Sequence, residues 1–118
     1  MKEFVLIFRE SKDRDVSASP EEMQQVMNKW MSWMSDIASQ NKLADKGNRL
    51  SVKNGKTVKP NNKVMDGPYT EVKEFINGYI IVRTAHIDEA VEIAKECPIL
   101  LMGGNVEVRT VVAMDDNN

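Results

Sequence analysis

The peptide Phe4-Val5-Leu6-Ile7-Phe8 is an unbroken apolar run between charged residues. It is too short for a helix and rich in strand formers, so it predicts a strand covered on both faces. Residues 9–18 are polar and read as a loop. Ser19-Pro20-Glu21-Glu22 then opens a helix, with Ser19 as N-cap, Pro20 at the first helical position and Glu22 completing a capping box. Met23, Val26, Met27, Trp30, Met34, Ile37 and Ala38 follow at steps of three and four, which predicts an amphipathic helix to about residue 41 with this stripe against a sheet. Met31 and Trp33 fall at opposite borders of the stripe. They are either ordinary core margin or part of a dimer contact or a ligand cavity, and Trp33 suits the second role better because an indole combines area with an N–H donor.

Leu50-Ser51-Val52-Lys53-Asn54-Gly55-Lys56-Thr57-Val58 alternates around Asn-Gly and predicts a hairpin that residues 60–62 interrupt. Residues 75–83 predict the next strand, in which Gly78 marks a bulge or a close backbone approach and leaves room for a ligand. Ile87, Ala90, Val91, Ala94 and Cys97 predict a second helix ended by Pro98, and after the turn at Gly103-Gly104 the alternation of Val106, Val108, Thr110 and Val112 predicts the last strand. Strand, helix, strand pair, strand, helix, strand is the order of an α+β, ferredoxin-like βαββαβ sandwich with an added hairpin. Two helices cover one sheet face only. A first strand apolar on both sides therefore calls for a second copy packed sheet to sheet, a homodimer.

With 118 residues the chain fits one domain, 1–118, and its formal charge of −2 gives no reason to expect direct nucleic-acid binding. It has no long apolar run and no basic-then-apolar start, so neither a membrane span nor a signal peptide is expected and a cytoplasmic location follows as the default. One cysteine and one histidine do not supply a usual metal site, and no cofactor-binding motif appears, so neither a metal nor a cofactor is expected. Cys97 reads as core and His86 as the residue that starts the second helix.

Asp66-Gly67-Pro68-Tyr69, then Glu71, Lys73-Glu74 and Gly78-Tyr79, resemble the signature of the DGPF family, a branch of the YCII-related proteins. Ser19-Pro20-Glu21-Glu22-Met23, Asp88-Glu89-Ala90, Cys97-Pro98 and the block from Gly104 to Arg109 are similar to the family's other segments in the same order. The chain departs from the pattern at Tyr69, where the family name has Phe, and at Thr110, where a proline often stands. The resemblance implies a dimeric α/β barrel. It also implies a histidine and aspartate pair in a sheet cleft; Asp66 matches the aspartate, but His86 lies in the wrong place to match the histidine.

Asp66, on backbone constrained by Gly67 and Pro68, is thus either a tentative general base or ligand anchor, tuned by Lys73 or Arg109, or an aspartate that closes a turn. In the first reading a small polar organic molecule binds in a sheet-lined cleft, with Trp33, Tyr69, Glu71, Lys73 and Gly78 around it. The alternative is a non-catalytic interaction module with a protein partner in transcription initiation, since family members are sometimes labelled as sigma-factor-associated. That reading expects an exposed apolar patch at Trp33 and Met31.

Overall fold

The structure is a computed structural model, which describes residues 1–11, 19–51, 53–67 and 74–114. Strand β1 (Lys2–Ser11) leads to helix α1 (Pro20–Ser39), β2 (Leu43–Arg49), β3 (Lys56–Lys59), β4 (Lys63–Asp66), β5 (Glu74–Thr84), α2 (Ile87–Lys95), a 3-10 turn (Pro98–Met102) and β6 (Asn105–Thr110). The main sheet has the order β2-β5-β1-β6 with every pairing antiparallel, while β3 and β4 form a separate two-stranded sheet. This is the ferredoxin-like α+β arrangement, enlarged by a hairpin between its second and third sheet strands.

Local chemistry accounts for both helix starts. The Ser19 hydroxyl accepts the Glu22 N–H at 3.1 Å and donates to Glu22 Oε1 at 3.2 Å, the capping box expected from the sequence. His86 occupies the N-cap of α2, but its side chain makes no cap bond. Instead the Thr84 hydroxyl, fully buried, donates to the His86 carbonyl at 2.8 Å.

The core lies between the helices and one sheet face, where Phe4, Leu6, Phe8, Ile80 and Val82 pack against Trp33, Ile37, Ala90, Ala94, Cys97 and Ile99. Alternation along β1 and β5 sends the other side chains, Val5, Ile7, Tyr79 and Ile81, to the opposite face, where they are half-buried in the single chain. The protein is a slab of 46 × 42 × 18 Å, two layers thick.

Two expectations are corrected and one strand appears that no expectation covered. The hairpin does not form around Asn54-Gly55, since among the described residues Leu50, Ser51 and Lys53 are not paired with β3. β3 pairs forward with β4, from Lys59↔Lys63 to Lys56↔Asp66. The turn is Pro60-Asn61-Asn62, with Asn61 at φ 66° and Asn62 at φ 60°, a left-handed geometry that asparagine tolerates.

Second, Leu43–Arg49 forms a strand, which its mostly polar sequence Leu-Ala-Asp-Lys-Gly-Asn-Arg does not announce. It is an edge strand paired with β5 alone through two register shifts, and a charged edge of this kind resists pairing with other chains. Third, α1 is rotated about its axis from the expected setting. Met23 and Met27 are 59% and 53% exposed, and Ala38 is exposed, while Val26, Trp30, Trp33, Met34 and Ile37 turn inward. The two indoles and Phe8 stack edge to face, with centroids 5.0–6.0 Å apart, and this aromatic cluster outweighs the more flexible methionines in setting the rotation.

Candidate functional site

The predicted site residues fall in three places. Asp66 ends β4, and its side chain is 93% exposed, with Lys56 Nζ 2.7 Å from Oδ1. The backbone beside it is fixed by bonds within the hairpin: Gly67 N–H donates to the Gly55 carbonyl at 2.6 Å, and the Thr57 hydroxyl donates to the Gly67 carbonyl at 2.9 Å. A shallow hollow of about 470 Å³ is lined here by Lys53, Asn54, Gly55, Lys56, Asp66 and Gly67. Among the described residues the cation at Asp66 is Lys56. Tyr69, Glu71 and Lys73 lie outside the described residues.

Trp33 lies in the helix layer. It is 6% exposed, and its Nε1–H donates to the Ile93 carbonyl at 3.0 Å, so its polar edge is satisfied by α2. One side of the indole lines a groove of about 680 Å³ between α1 and the α2 to 3-10 segment, floored by Trp33, Ile37, Ile93, Cys97 and Pro98. Trp33 and Asp66 thus line separate hollows, and the patch expected jointly at Trp33 and Met31 does not form, because Trp33 is buried while Met31 is 64% exposed.

Cys97 in that groove is a buried thiol whose pKa is pushed from an ordinary 9.0 to about 11, chiefly by burial, with a backbone hydrogen bond from Ile99 opposing. Because the folded value lies above the unfolded one, the stability contributed by the neutral thiol is fully present below pH 9.0 and lost as the pH climbs through about 11. At pH 8 Cys97 should resist iodoacetamide in the native protein and react on unfolding in guanidinium, as read by mass spectrometry. Stoichiometric labelling of the native protein within minutes would contradict this environment.

Gly78 sits beside the bulge that the sequence predicts. The β1–β5 register passes from Phe8↔Gly78 to Arg9↔Ile76 and leaves Asn77 as the extra residue. The close approach at Gly78 is made by β2: a Cβ there would stand 3.0 Å from the Asn48 carbonyl oxygen and 3.7 Å from the Phe8 ring. The space is filled by the protein's own backbone.

A separate surface, holding none of the predicted site residues, is the open sheet face. Val5, Ile7 and Ile81 form its apolar centre, with Tyr79 opposite Ile7. Polar groups frame it. The Tyr79 hydroxyl accepts from Asn48 Nδ2 at 3.0 Å, and Arg9 forms an ion pair with Glu107 at 3.0 Å while Arg109 stands 3.8 Å from the same carboxylate. Arg83, on this face by alternation, reaches over β2 to donate to the Leu43 carbonyl at 3.4 Å. Its buried Nε has no hydrogen-bond partner among the described residues. Sequence reasoning inferred this face from the double-sided apolar run of β1 but named Arg109 only as a group tuning Asp66 and Tyr79 only within the family signature, and placed no polar residue on it, since their convergence depends on β2 and β6 pairing at either edge.

A family model described as the YCII-related domain matches residues 4–115. The chain belongs to that family. No curated protein matches it. The match runs from the core of β1 past the end of β6, so the YCII-related domain accounts for the whole α+β unit and its inserted hairpin. Among the described residues no group of three or more His, Cys, Asp or Glu side chains is placed to hold a metal ion, and no helix is long and apolar enough to cross a membrane.

Proposed function

We infer that this YCII-related protein, of the DGPF branch, is a homodimer that binds a small polar organic molecule in the cleft formed where two open sheet faces meet. The observation that carries the reading is that face itself: an apolar centre of Val5, Ile7 and Ile81, framed by Tyr79, Asn48, Arg9 and Glu107. Apolar surface with a few convergent polar groups is the usual make-up of a ligand site. The Nε–H of Arg83, unpaired among the described residues, is a donor that a carboxylate or carbonyl oxygen would satisfy, since a buried donor left unpaired costs about 1–3 kcal/mol. Asp66 is the acid of the family signature and serves as ligand anchor, with Tyr69, Glu71 and Lys73 following it in the chain.

A thermal-shift screen of small organic acids and amides, paired with Asp66→Ala, tests this. Because Asp66 is exposed and its ion pair with Lys56 stands in solvent, Asp66→Ala should move the melting temperature by no more than about 2–3 °C, the effect of about 0.5 kcal/mol. Compounds that raise the wild-type melting temperature should lose that effect in the variant. An unaltered response would remove Asp66 from the site, and a large loss of stability would make it a turn residue.

One observation favours a second reading, a protein-interaction module with a partner in transcription initiation. Met23, Met27 and Met31, at 59%, 53% and 64% exposure, form an apolar stripe along one side of α1. Flexible, polarizable methionines suit an adaptable docking surface. Binding of a purified sigma factor that is lost on Met27→Glu would support it, and no binding would discard it.

A further inference from the structure

The β3–β4 hairpin stands apart from the main sheet. Its strands are four residues each and pair with each other but with no strand of the main sheet. An isolated two-stranded hairpin is at best marginally stable in water and needs something to pack on. Val58 and Val64 are direct cross-strand partners, on the same hairpin face as the Lys56–Asp66 pair, and they are 70% and 57% exposed. The radius of gyration, 16.0 Å, exceeds the ~13.5 Å expected for a compact domain of this length, as a projecting element would make it.

Charge points the same way. Residues 46–66 carry Lys46, Arg49, Lys53, Lys56, Lys59 and Lys63 against Asp66 alone, a net +5, so within a chain of −2 the remainder carries −7. Lys46, Arg49, Lys53 and Lys63 are exposed. A free polyanion such as nucleic acid would meet the repulsion of the acidic remainder and offer the valine pair little apolar cover, whereas another copy of this chain supplies both acidic surface and apolar sheet.

We propose that the hairpin is a dimerisation arm whose Val58–Val64 face packs on a second copy, so that Asp66 of one protomer serves the ligand cleft of the other. The inference rests on the homodimer reading above. It also accounts for the exposure of the signature aspartate in a single chain: Asp66 shares the docking face and is covered only when the partner is present.

Sedimentation velocity at 50 and 500 mM NaCl, on wild type, Val58→Asp and the double variant Lys53→Glu/Lys63→Glu, decides the matter. All three positions are exposed, so circular dichroism should show intact folding. Val58→Asp is expected to weaken the dimer by about tenfold or more, the scale of burying one valine. The double variant should weaken it at 50 mM, with the difference shrinking at 500 mM as salt screens the charges. Val64→Cys, carrying a benzophenone maleimide, should photo-crosslink into a covalent dimer, since buried Cys97 does not compete for the label. A wild-type dimer that both variants leave unchanged, or crosslinks within one chain only, would overturn the arm and leave the homodimer standing. A wild-type monomer at all concentrations would overturn the homodimer, and the arm with it. Loss of binding to a 30-bp DNA duplex in the double variant, with self-association unaffected, would also overturn the proposal and make the hairpin a polyanion-binding ribbon.

Discussion

Gly47→Ala is expected to lower the melting temperature by roughly 10–15 °C, the effect of about 3 kcal/mol on a domain of this size. Gly47 lies in β2 at φ +66°, where a side chain is already strained, and a Cβ built there would fall on the main-chain carbonyl of Tyr79 in β5. That carbonyl cannot swing aside as a flexible side chain would, because β5 is the second strand of the sheet and is held by β1 on its other edge. Relief requires β2 to separate from β5. Separation would also break the Arg83 N–H to Lys42 carbonyl bond, at 2.7 Å, and the Asn48 to Tyr79 bond that frames the open face. Lys46→Ala, at the exposed neighbouring position, serves as control and should change stability by no more than about 0.5 kcal/mol. Thermal unfolding of the three proteins side by side makes the comparison. A Gly47→Ala melting temperature within 2–3 °C of wild type would show that β2 does not pair with β5 in this register.

On the homodimer reading, Ile81→Asp should yield a 13.4 kDa monomer and abolish any thermal response to ligand, while leaving the fold intact. Ile81 pairs with Val5 and Asp45 and stands at the centre of the open face. A carboxylate there stays hydrated in a monomer but would be buried unpaired between two sheets, a penalty of several kcal/mol that corresponds to a weakening of a hundredfold or more. The residue before it gives the opposite outcome. Ile80 is 2% exposed, on the helix side of the same strand, and Ile80→Asp should leave no folded protein at 37 °C. Multi-angle light scattering behind a sizing column, with circular dichroism as the check on folding, separates the two phenotypes. Dimeric Ile81→Asp would show that the sheets do not meet face to face.

These adjacent isoleucines show what kind of information was legible in the chain. The unbroken apolar run of β1, the capping box at Ser19 and the three- and four-residue spacing of α2 are local patterns, set by backbone geometry and by groups within four residues of one another. They were enough to give both helices, β1, β5, β6 and the ferredoxin-like class, though not β2 or the place of the hairpin, and the unbroken run from Phe4 to Phe8 was enough to show that one sheet face is left without a helix over it.

Three features depended on partners distant in the chain. β2 is a strand because β5 offers it an edge, although Asp45, Lys46 and Asn48 have weak strand preference of their own. The hairpin closes at Pro60-Asn61-Asn62, where two successive asparagines adopt left-handed geometry, and Asn54-Gly55, the stronger local signal, stays outside it. The rotation of α1 follows from Phe8 meeting Trp30 and Trp33, a contact between residues more than twenty positions apart.

The same division runs through the candidate site. The signature at Asp66-Gly67 names the family from sequence, because it is a short contiguous motif. Whether its aspartate shares a cavity with Trp33 is a matter of which element each occupies. The fold puts Asp66 on an inserted hairpin and Trp33 between two helices, and it converges Tyr79, Asn48, Arg9 and Glu107 on a third surface. By itself the sequence determined both helices, three of the four strands of the main sheet and the family, since these rest on local patterns; only the tertiary structure decided where β2 and the hairpin lie and which side chains meet, since that depends on strand register and helix rotation set by contacts across the whole chain.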